Sequence, residues 1–131
     1  MALTTTTREE LAQVLNLLGG VQAFPTTPPV PPIPGIVIHP DDPYLDVDRL
    51  GSRLTYTVNL TITAITQATD INTSLKNAEE LVDKVLGQLP AGYLVNRVNA
   101  PQLTDMGAQG SAYTTDIAVS AHVTTPSGGT P

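Results

Sequence analysis

Residues 54–66 read Leu-Thr-Tyr-Thr-Val-Asn-Leu-Thr-Ile-Thr-Ala-Ile-Thr, and few folds accommodate them. Leu54, Tyr56, Val58, Leu60, Ile62 and Ala64 share one parity, while Thr55, Thr57, Asn59, Thr61 and Thr63 share the other. Side chains alternate across a strand with a period of two, so this segment has one apolar face and one threonine face. A helix would scatter the same residues around its circumference. The β-branched and aromatic content suits a half-buried pleated surface. The pattern predicts a long, central strand with one face on a core. Ile65 breaks the parity, which predicts a bulge or a stop at that point.

A second alternation follows at residues 113–123. Thr115, Ile117, Val119, Ala121 and Val123 oppose Thr114, Asp116, Ala118, Ser120 and His122. This strand is expected beside the first. Two amphipathic helices flank the long strand in sequence. Thr7-Arg-Glu-Glu10 has the form of a capping box, and Leu11, Val14, Leu15 and Leu18 recur at helical spacing before Gly19-Gly20. That predicts a helix from Arg8 to Leu18, too short to stand alone. Thr69 or Asp70 can cap a second helix, whose stripe is Ile71, Leu75, Ala78, Val82, Val85 and Leu89. Lys76, Glu80 and Lys84 lie four apart on another face.

The remaining segments are shorter. Residues 21–24, 36–38 and 93–99 are strand candidates, 39–43 a proline turn, 44–51 an exposed loop and 100–112 a loop. The order is thus α-β-β-β-α-β-β. It predicts a single α+β domain over residues 1–123, with a mostly antiparallel or mixed sheet of four or five strands and both helices on one face. Residues 124–131 are expected to be a flexible tail.

Six of the twelve prolines fall in residues 25–34. Proline lacks the amide donor and fixes φ, so this stretch is neither helix nor central strand. Polyproline II is its natural state. Too little chain precedes it to form a domain, so residues 25–35 are expected to be an arm and not a linker. Its large apolar residues, Val30 and Ile33, are the candidate contacts to a neighbouring subunit or partner.

Composition narrows the chemistry. The chain has 131 residues, enough for one domain with a real core. There is no cysteine, so disulfides, thiolate metal sites and cysteine nucleophiles are excluded. No apolar run reaches the ~18 residues of a membrane span, and the N-terminus lacks the form of a signal peptide. Six basic residues face twelve acidic ones for a formal charge of −6, and the basic residues form no run. That pattern does not suit tracking of a phosphate backbone. Asp46-Val-Asp48 resembles the start of a calcium loop, but Leu50 and Thr57 stand where later oxygen ligands are required. His39 and His122 are isolated, in a turn and on a polar strand face, so no metal or general-base role is expected of them. Glycine-rich phosphate loops and nucleophile elbows are missing. The chain is expected to be no enzyme and to take no cofactor.

Several phrases together resemble the tail terminator proteins of long-tailed, siphovirus-type bacteriophages, especially the small versions from phages of actinobacteria. They are the capped N-terminal helix with its proline-bearing sequel, and Gly35-Ile-Val-Ile-His-Pro-Asp-Asp-Pro-Tyr-Leu45 ahead of the threonine-rich strand. After it come Asn72-Thr-Ser-Leu-Lys-Asn-Ala-Glu-Glu-Leu-Val-Asp-Lys-Val-Leu86, Val98-Asn-Ala-Pro101, a glycine-containing loop and the closing strand after Tyr113. The resemblance covers about residues 8–123. It implies a structural virion protein, assembled in the host cytoplasm, that forms a hexameric ring on the head-proximal end of the tail. Such a ring stops polymerisation of the tail tube protein and joins the tail to the head–tail connector or stopper. DNA would pass through without specific binding, and no membrane is involved. If a ring forms, Asp41, Asp42, Asp46 and Asp48 are candidates to line an acidic bore or its loops. The alternatives are another head–tail joining or minor tail protein, such as an adaptor or stopper, and a small monomeric ligand-binding α+β domain.

Overall fold

The computed structural model describes residues 3–18, 21–25, 33–50, 53–68, 71–90, 92–105 and 110–126. Helix α1 (Leu3–Leu15) runs into one 3-10 turn (Asn16–Leu18), then strands β1 (Gln22–Phe24), β2 (Gly35–Leu50) and β3 (Arg53–Gln67) follow. Helix α2 (Ile71–Gln88) precedes β4 (Tyr93–Val98), β5 (Gln102–Asp105) and β6 (Ser111–Pro126). The six described strands form one sheet in the order β1-β2-β3-β6-β4, with β5 also on β6. Among the described residues β1 and β2 pair in parallel and the other pairs are antiparallel. This is an α+β fold, with more strands than the four or five expected.

The long strand is central, as its alternation implies. Every residue of β3 from Arg53 to Gln67 has a partner on β6, without a register shift. Its apolar parity, Val58, Leu60, Ile62 and Ala64, joins Ile36 and Ile38 of β2 and Ile117 and Val119 of β6 in one core. Leu11 and Leu15 of α1 and Leu81, Val82 and Val85 of α2 close that core from the same side. Both helices therefore cover one face.

Ile65 neither bulges nor ends the strand; β3 keeps its register through Gln67. The parity breaks because the opposite face also becomes apolar there. Ile65, Val37 and Ala112 are buried together, with Ile33 packed against them. Helix α1 also departs from expectation. It starts at Leu3, so Thr7 lies inside it, 7% exposed, and does not cap it. Docking of the helix onto the sheet outweighs a local capping preference worth about 1 kcal/mol. The end of α1 is tied instead by Asn16. Its Nδ2 donates to the carbonyls of Ala12 (2.9 Å) and Ala23 (3.1 Å), and its Oδ1 accepts from the Ala23 amide (2.9 Å).

Three loop expectations are corrected. Residues 39–50 are neither turn nor loop, because β2 is continuous from Gly35 to Leu50. Pro40 is still paired with Leu60, and Pro43 falls in the register shift between Pro40 and Leu45. Residues 102–105 form β5, and residues 124–126 belong to β6 and not to a tail. The proline-rich segment connects two parallel neighbours, β1 and β2, so its ends are held by the sheet. The Arg8 guanidinium donates to the Pro25 carbonyl at one end, and Ile33 packs on the small cluster at the other.

Two measurements test this layering. Val58 is fully buried, whereas Thr57 is half-buried on the opposite face. Val58→Asp is expected to cost about 3–5 kcal/mol in urea unfolding, as an uncompensated buried charge does, and Thr57→Asp about 1 kcal/mol or less. Equal midpoints would contradict the face assignment. The second concerns Tyr93, which packs against the core. Burial first, and then the Glu10 carboxylate, raise its phenol above the ordinary 10.0. A group that ionises later folded than unfolded gives stability that is full below pH 10.0 and lost as pH rises through the folded value. Tyr93→Phe is expected to flatten the alkaline limb of the melting profile, and an unchanged limb would exclude Tyr93 as its source.

Candidate functional site

The sheet face opposite the helices is built from the polar parity of β2, β3, β4 and β6. Antiparallel pairing sets residues directly opposite each other on one face, and the polar side chains there reach one another. Asn96 Nδ2 donates to Ser120 Oγ (2.6 Å), Ser120 Oγ to Asn59 Oδ1 (2.8 Å), and Asn59 Nδ2 to Asp46 Oδ2 (2.9 Å). The chain of donors crosses four strands in one direction and ends on a carboxylate. Each bond polarises the next, and the two amides are oriented by their partners. Ser120 is 5% exposed at the centre of this path.

A second path lies beside it. Thr63 Oγ1 donates to Asp116 Oδ1 (2.8 Å) and lies 2.8 Å from His39 Nε2. The threonine has one proton, and it goes to the carboxylate, so the imidazole must be the donor to Thr63. An activated hydroxyl needs the reverse, a histidine that takes its proton. This arrangement therefore ties β2, β3 and β6 together and does not activate a nucleophile. Thr57 Oγ1 lies 3.2 Å from His122 Nδ1 and links β3 to β6. His39 thus sits in a strand and not in the expected turn, while His122 lies on the polar parity as expected.

The sequence-derived candidates are dispersed. Val30 lies outside the described residues. Ile33 is half-buried against Val37, Ile65 and Ala112 of its own chain. Asp41 and Asp42 fall within the irregular stretch of β2 between Pro40 and Leu45. Asp46 and Asp48 follow it in register with Thr57 and Thr55, on the polar parity. Asp46 is exposed and holds the end of the amide chain; the side chains of Asp42 and Asp48 fall outside what the structure describes. Among the described residues no group of three or more His, Asp or Glu side chains is arranged to hold a metal ion. Among the described residues no helix is long and apolar enough to cross a membrane.

The ladders of β2, β3 and β6 continue to Leu50, Arg53 and Pro126, so Asp46, Asp48, Arg49 and Arg53 belong to one three-stranded stretch of backbone. Sequence periodicity locates the polar parity of β3 and β6. It does not show that Asn59, Ser120 and Asn96 meet, because the contacts span 61 and 24 residues.

If the amide chain acts as a unit, Asn59→Ala and Ser120→Ala should each cost about 1 kcal/mol and fail to add by about 0.5 kcal/mol or more. Urea unfolding of the two single variants and the double variant measures this. Strictly additive costs would show that the bonds are independent.

No protein-family model matches this chain, and a search of curated proteins finds no match to it.

Proposed function

We propose that the protein is a structural virion component of the tail-terminator type. In this reading it forms a ring, with six subunits as the resemblance implies, on the head-proximal end of a long-tailed phage tail. The ring ends growth of the tail tube and offers a surface to the connector or stopper above it. The observation that carries the reading is the polar face cross-linked across β2, β3, β6 and β4. Its hydroxyls and amides are committed to one another across four strands, which makes a stiff surface suited to repeated contact.

The acidic strand has a place in this scheme. Asp41, Asp42, Asp46 and Asp48 lie along β2. Turned toward a bore, they would keep passing DNA from adhering, because like charges repel across a few ångströms of water. The proline-rich segment with Val30 remains a candidate contact to a neighbour, whereas Ile33 contributes to the fold of its own subunit.

Electron microscopy of assembled particles tests the proposal. One six-fold ring at the head-proximal end of the tail is the expected result. A twelve-fold ring would mark a portal-proximal adaptor, many stacked rings a tube subunit, and absence from particles would overturn a virion role. Replacing residues 26–32 by a Gly-Ser segment of equal length is expected to leave the thermal midpoint near wild type. Lysates complemented with that variant should contain over-long tubes or unjoined tails. Normal tails would remove the segment from the contact surface.

A further inference from the structure

Among the described residues the sheet has two unlike edges without a further strand partner. Beyond Val37 the outer edge of β2 carries Pro40, Pro43 and four aspartates, which discourage another strand from pairing there. The opposite edge is formed by β4 and β5, and only Arg97 and Asp105 charge it. Leu94, Val95, Val98 and Leu103 stand 56%, 39%, 42% and 65% exposed along it. Among the described residues no strand pairs with its outer side.

This edge is interrupted. Pairing of β4 ends at Val98 opposite Ile117, and pairing of β5 begins at Gln102 opposite Thr114. Between them the Asn99 amide donates to the Asp116 carbonyl (2.9 Å). The break borders a cleft of about 420 Å³ beside α2, with Glu79, Val82 and Asp83 on one wall and Val98 and Pro101 on the other. Thr115 also lines it. That residue is 1% exposed, and its Oγ1 has no hydrogen-bond partner among the described residues. Glu79 and Asp83 lie one helical turn apart and are both exposed.

We propose that this edge and its cleft bind an extended, basic segment of a partner protein, which adds as a strand beside β4 and β5 and places one lysine or arginine side chain in the cleft. The edge supplies unpaired backbone donors and acceptors, and the cleft supplies side-chain selection. The aliphatic stem of the incoming side chain lies on Val82, Val98 and Pro101, and its cationic head meets the two carboxylates. Thr115 Oγ1 accepts a hydrogen bond from that head, which gives a buried polar atom the partner it lacks among the described residues. An acidic side chain would face two like charges. All six Lys and Arg residues of this chain fall in its described elements, so its remaining stretches cannot supply the cation. The proposal is independent of the ring reading, since neither requires the other.

The test uses the whole chain, isotopically labelled, and three blocked pentapeptides that differ at the centre: threonine-valine-X-valine-threonine, with X lysine, norleucine or glutamate. Backbone and methyl NMR shifts are followed during titration. The lysine peptide is expected to give saturable shifts along residues 93–105 and at the Thr115 methyl, and to bind about tenfold tighter than the norleucine peptide. The glutamate peptide should bind weakest. In the double variant Glu79→Gln, Asp83→Asn the lysine advantage should vanish while norleucine binding persists. Both substitutions are at exposed positions, so the melt should not change. Thr115→Val is expected to fold and to weaken the lysine peptide selectively. Equal binding of lysine and norleucine, shifts that map to β2, or no saturable shift would each overturn the proposal. So would self-association through this edge that the lysine peptide does not displace, because a second copy would then be its occupant.

Discussion

The continuous antiparallel pairing of β3 with β6 is the constraint on which the rest of the molecule depends. From Arg53 opposite Pro126 to Gln67 opposite Ala112, the two strands keep one register. Because side chains alternate with a period of two, a slip by one residue would carry Val58, Leu60 and Ile62 to the other face together with their partners. The same register sets Ile117 beside Ile62 and Val119 beside Leu60, which makes the floor on which both helices dock. It also sets Ser120 opposite Asn59 and Asp116 opposite Thr63, which makes the polar surface on the far side. Core and surface are two consequences of one alignment.

The two faces differ in how their polar groups are satisfied. On the outer face, hydroxyls, amides and carboxylates bond one another across strands. On the inner side, the Thr66 and Thr115 hydroxyls are buried without a partner among the described residues. Burial of an unmade hydrogen bond costs about 1–3 kcal/mol, so such positions are few and informative. Thr66 is enclosed by the fold, whereas Thr115 lines the cleft where the edge strand breaks. The sheet edges differ in a parallel way. Prolines and aspartates guard β2, and apolar side chains stand along β4 and β5.

Much of the architecture was legible in the chain. The parity of residues 54–64 identified the core face of β3, and residues 115–121 identified that of β6, because strand periodicity is a property of neighbours in sequence. The stripe of α2 was legible in its centre, where Ala78, Val82 and Val85 are buried, but Leu75 stands 39% exposed while Ser74 beside it is buried. The misreadings share a cause. A capping box at Thr7 and a turn at Pro40–Pro43 are sound local inferences, and packing overrode both. Docking on the sheet extended α1 to Leu3, and pairing with β3 carried β2 through its prolines by a register shift. Ile65 was the subtler case, since its apparent error in alternation reflects a second buried cluster that only packing against Val37 and Ala112 creates.

The sequence by itself determined which segments alternate, which are amphipathic helices, which chemistry is excluded by the lack of cysteine, and that one α+β domain results. These follow from composition and from spacings within a turn or a strand. Tertiary structure alone decided which strands are neighbours, which edges remain free, and which polar residues meet. Asn59 and Ser120 lie 61 residues apart, and His39 and Thr63 lie 24 apart. Thr115 becomes an orphan hydroxyl at a cleft only because β4 and β5 break opposite it and α2 passes above. Such contacts depend on the summed burial of many side chains and on a shared register, and no local window of the chain contains either.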